Sequence, residues 1–481
     1  MKITIQDNQH FILSSRDTKI FSKFKFTRWS RSFSKRQHKY IELKQDIAMY
    51  DRINKHTLKF RNGYIFYVLN RCIDYLDPEN VKEIIARFKS NLAEGFDYDC
   101  MYDYQREDLN KLLKFKYGTF QTYTSYGKSM IIALMVRNFI AKGLTVLVIA
   151  PSNHAREEIR KRIEKYGTPV STFVKKGPIN VINPKALVGS NQWENLRKND
   201  FKWFRSVDVV ISDEVEMTVN PSWDRIRKRL TKAEYFYGFS ATANKSSIDP
   251  IPRDKSLRIM MNDQIAGIVA NYGFTAVYRL PTKNKLTITT LHTNLAGVKW
   301  VKKSKSRSRY HKIVDNMFNY DKFHRCIKYI LDRVDNLYIP INNLDAIHSL
   351  VHSNLTDRLV MTIQGSGYHI YKSGKHVGDT NLEGAKKLVA EGKIHAVFGT
   401  SSSFRALDFI RLSNIVNTYG KATSVTVQYV GRVAREINMN IWYIASDVKI
   451  PIYSQTIENN RHQMEEFYQN CDIQYREEFL I

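Results

Sequence analysis

The sequence predicts an α/β protein in which two domains, each a parallel sheet flanked by helices, follow one another behind a small α+β N-terminal region. Three observations predict it. The chain has 481 residues, more than one ordinary core organises, which suits two or three domains of roughly 100–200 residues each. Between about residues 96 and 250, helical periodicity alternates with short apolar runs, the pattern of a parallel sheet covered by helices. The same alternation returns between 251 and 450.

Residues 1–95 begin with short aromatic and β-branched runs and close in ENVKEIIARFKSNL after Pro78, where Val81, Ile84, Ile85 and Phe88 share one helix face. This suits a separate accessory domain. Within it Lys19, Lys23, Lys25, Arg28, Arg31, Lys35, Arg36 and Lys39 interleave with Phe21, Phe24, Phe26, Trp29 and Phe33. Cations for phosphates beside aromatic faces for bases suit nucleic acid. A solvated strand face with its aromatics in a core explains the pattern equally well.

In the first α/β domain, 96–250, we expect a helix over 128–142, strand LTVLVIA (144–150), helix NHAREEIRKRIEKYG, strand VDVVIS (207–212) and strand YFYGFSA. The second, 251–450, offers helix KFHRCIKYILDRV and strands NLYIPI, HAVFGT (395–400), NIVNT and NIWYIAS (440–446). Residues 244–310 hold the linker and the start of the second domain. The stretch 299–312, which begins within them, holds seven Lys or Arg, and we read it as a mobile basic loop. Residues 451–481 are expected to form a helical tail.

The composition is 43% hydrophobic, 12% aromatic and 25% charged, enough apolar surface for real cores and unlike a disordered chain. A formal charge of +28 sets up a field that attracts polyanions, nucleic acid first among them. An anionic membrane surface or a merely basic enzyme stays open on charge alone. Cys72, Cys100, Cys326 and Cys471 are far apart and form none of the close Cys or Cys/His pairings of a zinc site. A reducing, cytoplasmic location fits. The N-terminus has no export-type apolar segment, and no apolar run approaches the ~20 residues a bilayer span needs.

Two segments carry chemistry. FQTYTSYGKSM places Gly127-Lys128-Ser129 before a helix and behind the apolar run 117–123. Backbone N–H groups of such a loop cradle phosphate oxygens, Lys128 neutralises β and γ charges, and Ser129 is a ligand for Mg²⁺. The fit to G-x-x-x-x-G-K-[ST] is incomplete, because Thr122 holds the first glycine position. VDVVISDEVEM ends an apolar strand in Asp213-Glu214, where the ligand crevice of a parallel sheet opens. There Asp213 can hold the metal, and Glu214 can orient and deprotonate a water.

With these in place, the order of motifs resembles superfamily 2 helicases over about residues 100–446. Gln105 in YDYQREDL resembles the adenine-reading glutamine upstream of the phosphate loop, and Thr124, Ser125 and Tyr126 belong to that loop's string TSYGKS. Pro151-Ser152-Asn153 resembles the first strand-contacting motif. DEVE at 213–216 is a variant of the DExH or DEAD box, with Glu216 at its fourth place. Ser240-Ala241-Thr242 looks like the motif that couples hydrolysis to domain movement. QYVGRVAR at 428–435 matches Q-x-x-G-R-x-x-R, with Gln428, Arg432 and Arg435. In GTSSSFRALDF, Thr400 and Ser401 answer to nucleic-acid contacts and Asp408 to a nucleotide contact, but Ala406 replaces the usual glycine. The string TSYGKS, the compact core and the small basic N-terminal region look most like bacteriophage branch-migration helicases of the UvsW type.

The resemblance implies two tandem RecA-like domains, with ATP and Mg²⁺ as cofactors and Arg432 and Arg435 facing the γ-phosphate from the second domain. It also implies branched, forked or single-stranded DNA as partner and a host-cytoplasm location; the oligomeric state is not set by the sequence, with a monomer favoured. RNA-dependent ATPase activity, or duplex translocation without strand separation, is the alternative within the same class. A basic nucleic-acid-binding protein that no longer hydrolyses ATP is the alternative outside it.

Overall fold

The computed structural model describes residues 1–34, 39–48, 50–170, 177–198, 202–215, 221–241, 276–279, 285–293, 321–341, 344–364, 367–399, 409, 412–417, 438–446 and 451–480. These divide into two compact units, Met1–Thr122 with Gly127–Arg279, and Tyr123–Tyr126 with Leu280–Ile481.

The first unit opens with β1 (Lys2–Ile5), β2 (His10–Ser14), β3 (Lys25–Ser34), β4 (Lys39–Ala48), β5 (Tyr50–Asn54) and β6 (Thr57–Arg61). β3 and β4 form a separate antiparallel hairpin; the others form an antiparallel sheet in the order β1-β2-β6-β5. Period-two alternation buries Phe11 and Leu13 of β2 against Leu58 and Phe60 of β6. Phe11 and Phe60 are direct partners and stack at 5.1 Å. Helix α1 (Ile65–Cys72) follows, then α2 (Pro78–Phe88). Asp77 caps α2 by accepting from the Glu79 N–H at 3.0 Å, and Pro78 sits where a helix loses nothing to it. The predicted face is the one that packs, with Ile84 and Phe88 buried and Val81 and Ile85 partly so.

Residues 1–95 are not an independent body. Ile3, Phe11, Phe60, Phe66 and Phe88 share one core with Tyr117, Phe236 and Leu147 of the sheet that follows. The Tyr117 hydroxyl donates to the Asn8 carbonyl at 3.0 Å, and Gln9 Nε2 donates to the Leu230 carbonyl at 2.7 Å. Of the basic and aromatic run, Phe21 and Phe24 are core residues.

Next come α3 (Asp103–Leu113), β7 (Tyr117–Thr122), α4 (Lys128–Ala141), β8 (Val146–Ile149), α5 (Asn153–Lys165), β9 (Ile179–Ile182), β10 (Val209–Asp213), β11 (Tyr235–Ser240) and β12 (Ala276–Arg279). The sheet order is β12-β7-β11-β10-β8-β9, and every pairing is parallel. β7 and β8 are buried along their whole length, and β8, with the sequence VLVI, accordingly reads as a continuous apolar run rather than an alternating one. β12 pairs with the outer side of β7, so the first α/β sheet draws on residues past the boundary expected at 250.

The second unit holds a nine-stranded sheet, formed by β13 (Lys285–Thr293), β14 (Leu337–Pro340), β15 (Val360–Gln364), β16 (Gly367–Lys372), β17 (Lys375–Thr380), β18 (Ala396–Gly399), β19 (Asn414–Asn417), β20 (Asn438–Ser446) and β21 (Asp472–Leu480). Its order is β17-β16-β15-β18-β14-β19-β20-β13-β21. Only the β15-β16-β17 meander is antiparallel among the described pairings of this sheet. The tail expected to be helical is helical only over Pro451–Phe467. It then becomes β21, which runs parallel to β13 along nine residues. Long-range pairing with β13 overrides the local pattern there.

The linker and the basic stretch 299–312 lie outside the described residues. No described helix is long and apolar enough to cross a membrane.

Candidate functional site

Because the strands of the first sheet are parallel, their C-terminal ends open on one edge, where ligands of such sheets bind. β7 delivers the loop 123–127 to that edge, β8 delivers Pro151–Asn153, β10 delivers Asp213-Glu214 and β11 delivers Ser240-Ala241. The ends are level: Ser240 pairs with Gln121, Asp213 with Phe239, and Ser212 with Ile149. In the order β7-β11-β10-β8 the Ser240 pair stands between the phosphate loop and the acidic pair. With neighbouring strands about 4.8 Å apart, β7 and β10 end roughly 10 Å from each other.

Thr122 is the last residue of β7 and is buried. Its backbone is extended, so the first glycine of the usual pattern has no conformational task there. The task falls to Gly127, the N-cap of α4, at φ +98°. Ser125, in the same loop, also has positive φ, at 69°. A Cβ on Gly127 would lie 2.8 Å from Gln105 Nε2, so a side chain there would displace the end of Gln105 as well as strain the backbone. Lys128 Nζ donates to the Thr122 carbonyl at 3.1 Å, which folds the ammonium back over the loop. The hydroxyl of Thr122 is buried and has no hydrogen-bond partner among the described residues. An orphaned donor beside a lysine and a helix N-terminus fits a phosphate group.

Gln105 is 2% exposed. Its Oε1 accepts from the Tyr102 N–H at 3.0 Å, which fixes the amide and directs Nε2 toward Gly127. One turn on, the nearly buried Asp108 carboxylate receives Arg279 through two bonds, Nε at 2.6 Å and a terminal nitrogen at 3.2 Å. This ion pair clamps α3, and with it Gln105, to β12. Sequence reasoning missed the clamp, because its partners are 171 positions apart.

Asp213 ends β10 half-buried, and Glu214 follows it at φ 45°. A non-glycine residue held there is strained, as residues at reaction centres often are. Ser240 and Ala241 are buried at the end of β11. Ser152 is the N-cap of α5: its hydroxyl accepts from the Ala155 N–H at 3.2 Å. Asn153 Oδ1 accepts from Asn183 Nδ2 at 3.1 Å. Ser152 thus has a structural duty that the sequence motif did not announce, while Asn153 stays exposed. Thr242, Glu216, Thr400, Ser401, Ala406, Asp408, Gln428, Arg432 and Arg435 lie outside the described residues.

Residues 102–251 match the DEAD/DEAH box helicase family. No curated protein matches the sequence. The chain is similar in structure to T4 UvsW, at TM-score 0.39 and 14% identity, over 100% of this chain and 99% of that one. It is also similar to S. cerevisiae Dbp5 bound to RNA and ADP BeF3, at TM-score 0.49 and 13% identity, over 84% of this chain and 94% of that one. With helicase MrfA bound to DNA and AMPPNP the TM-score is 0.50 and the identity 16%, over 81% of this chain and 54% of that one. At such identities the likeness is one of fold: tandem α/β domains of the RecA-like kind.

Proposed function

We propose that this chain, a superfamily 2 helicase by its DEAD/DEAH box domain, couples ATP hydrolysis to the remodelling of branched or forked DNA. The observation that carries the reading is the single sheet edge that presents Gly127-Lys128, Ser240-Ala241, Asp213-Glu214 and Pro151–Asn153 in that spatial order. DNA rather than RNA rests on the motif resemblance to branch-migration helicases, while the charge of +28 favours nucleic acid of either kind.

In this mechanism the N–H groups of Thr124, Ser125 and Tyr126 and the α4 N-terminus hold the phosphates, while Gln105 reads the adenine. Lys128 neutralises the β and γ charges. Ser129 and Asp213 would hold Mg²⁺, which would offset charge on the phosphates. Glu214 orients the attacking water and takes its proton. Gln428, Arg432 and Arg435, with Asp408, complete the site from the second domain, where a cation stabilises the charge that develops on the γ-phosphate. Ser240-Ala241-Thr242 transmits the change. Pro151, Ser152, Asn153, Thr400 and Ser401 hold the nucleic-acid backbone, so binding is sequence-tolerant. A closed state favoured by ATP and an open one favoured by its products advance the strand.

The test is ATPase and unwinding activity on forked, Holliday-type, linear duplex, single-stranded DNA and RNA substrates, with Lys128→Ala as control. Strongest stimulation by forked DNA is expected. Stimulation by RNA alone moves the substrate to RNA, and undiminished DNA-stimulated ATPase in Lys128→Ala sinks the motor.

A further inference from the structure

The β16–β17 hairpin at the edge of the second sheet gathers three metal-binding side chains that the motor has no use for. His369 Nδ1 lies 2.7 Å from Asp379 Oδ1, and His376 Nε2 lies 2.8 Å from the same oxygen. The ligand atoms of all three residues fall within 4.8 Å of one another. We propose that His369, His376 and Asp379 form a site for a divalent transition-metal ion of the zinc class, with coordination positions left open to solvent.

The backbone is shaped to make this cluster. His369 and Asp379 are direct partners across the two strands, and Ile370 pairs with Gly378. In unbroken register Tyr371 would then pair with Val377, and His376 would stand on the opposite face. Instead the register shifts, and Tyr371 pairs with His376. Val377 is the extra residue of a bulge and is 54% exposed. The bulge turns His376 to the face of His369 and Asp379. The turn that closes the hairpin has Ser373 at φ 49° and Gly374 at φ 76°, as a two-residue type I′ turn requires. His352, from the helix Leu344–His352, anchors that turn through Nδ1 to the Gly374 carbonyl at 2.8 Å. The Tyr371 ring packs edge-on against both His352 and His376, which sets the orientation of the His376 imidazole.

The donor set selects the ion. Two imidazoles and one carboxylate suit zinc and its neighbours, whereas Mg²⁺ and Ca²⁺ prefer all-oxygen shells. Bonds of about 2.0–2.2 Å at tetrahedral angles set neighbouring donors roughly 3.3 Å apart. The two His–Asp distances therefore open by only about half an ångström, while the two imidazole nitrogens, no more than 4.8 Å apart, settle to the same spacing by side-chain rotation. The ion would replace the protons that now bridge both rings to Asp379, and would tie β17, the outermost strand, to β16.

The experiment is titration of the chelator-treated full-length protein with Co²⁺ and Zn²⁺. It compares wild type, His376→Ala, His369→Gln and, as a histidine outside the cluster, His348→Ala. Wild type and His348→Ala should take one more equivalent of Zn²⁺ than the two cluster variants, or bind it at least tenfold more tightly. Their Co²⁺ complex should show d–d absorption with no thiolate charge-transfer band, and Zn²⁺ should raise the thermal midpoint only where the cluster is intact. Equal stoichiometry and affinity in wild type and in both cluster variants, with folding confirmed by circular dichroism, would overturn the proposal.

Discussion

Glu214 and Gly127 show what single residues contribute at the sheet edge. Glu214 is held at φ 45°, an uncommon backbone conformation for a residue other than glycine. Glu214→Gln keeps the shape and removes the proposed base, and should lower stimulated kcat by roughly 10²–10⁴-fold with KM for ATP little changed; steady-state kinetics reads both. Gly127→Ala meets two obstacles, φ +98° and the Gln105 amide. Strain on the order of 1–3 kcal/mol should weaken ATP binding about tenfold or more, measurable with a fluorescent ATP analogue. A third residue sets a pH dependence. His395 is buried, and desolvation holds its pKa below the ordinary value, assisted by Arg358 and opposed by the Leu331 carbonyl and Asp335. The folded chain resists a proton that the unfolded chain accepts near pH 6.5. Stability from this group is therefore present above that pH and is lost as pH falls through and below it. The thermal midpoint should drop between pH 7.5 and 5.5, and drop less in His395→Gln. The identity of these residues is legible in the sequence, but the obstacle at Gly127 is not, since Gln105 comes from another element.

Among elements, α3 matters most, because Gln105, proposed to read the adenine, rides on it. The Asp108–Arg279 pair joins α3 to β12 with one partner nearly buried and the other about one-third exposed. Breaking a buried pair costs about 3–5 kcal/mol, and solvent access to Arg279 places Asp108→Ala toward the lower end. Urea denaturation should show the loss, and KM for ATP should rise with it, whereas loss of stability with ATP affinity unmoved would separate the clamp from the nucleotide site. At the other end of the chain, β21 covers all nine residues of β13. Deleting 472–481 bares a β-branched strand edge, a template for further pairing. The truncated protein should scatter light on standing where the full chain stays clear.

For the molecule as a whole, the +28 charge governs association. If Lys and Arg meet six or more backbone phosphates, affinity should fall roughly a thousandfold between 50 and 200 mM salt. A filter-binding series over that range reads the slope, and a flat one excludes phosphate-led binding. The two-fold repetition of α/β architecture was readable from alternating helical and apolar segments, because parallel strands buried on both faces are mostly apolar. The docking of residues 1–95 onto the first sheet was not, because a strand buried against its own helices and one buried against a neighbouring sheet have the same composition.

The sequence by itself determined the chemistry on offer: a lysine before a helix, two carboxylates after an apolar strand, and a Ser-Ala pair after another. Each is local, set by side-chain type and by where a strand must end. Only the tertiary structure decided that β11 inserts between β7 and β10, that β12 returns to fix α3 under Gln105, and that the tail becomes a strand. Those outcomes depend on pairings between segments up to about 190 positions apart, and hydrogen bonds between strands leave no periodic trace in either partner alone.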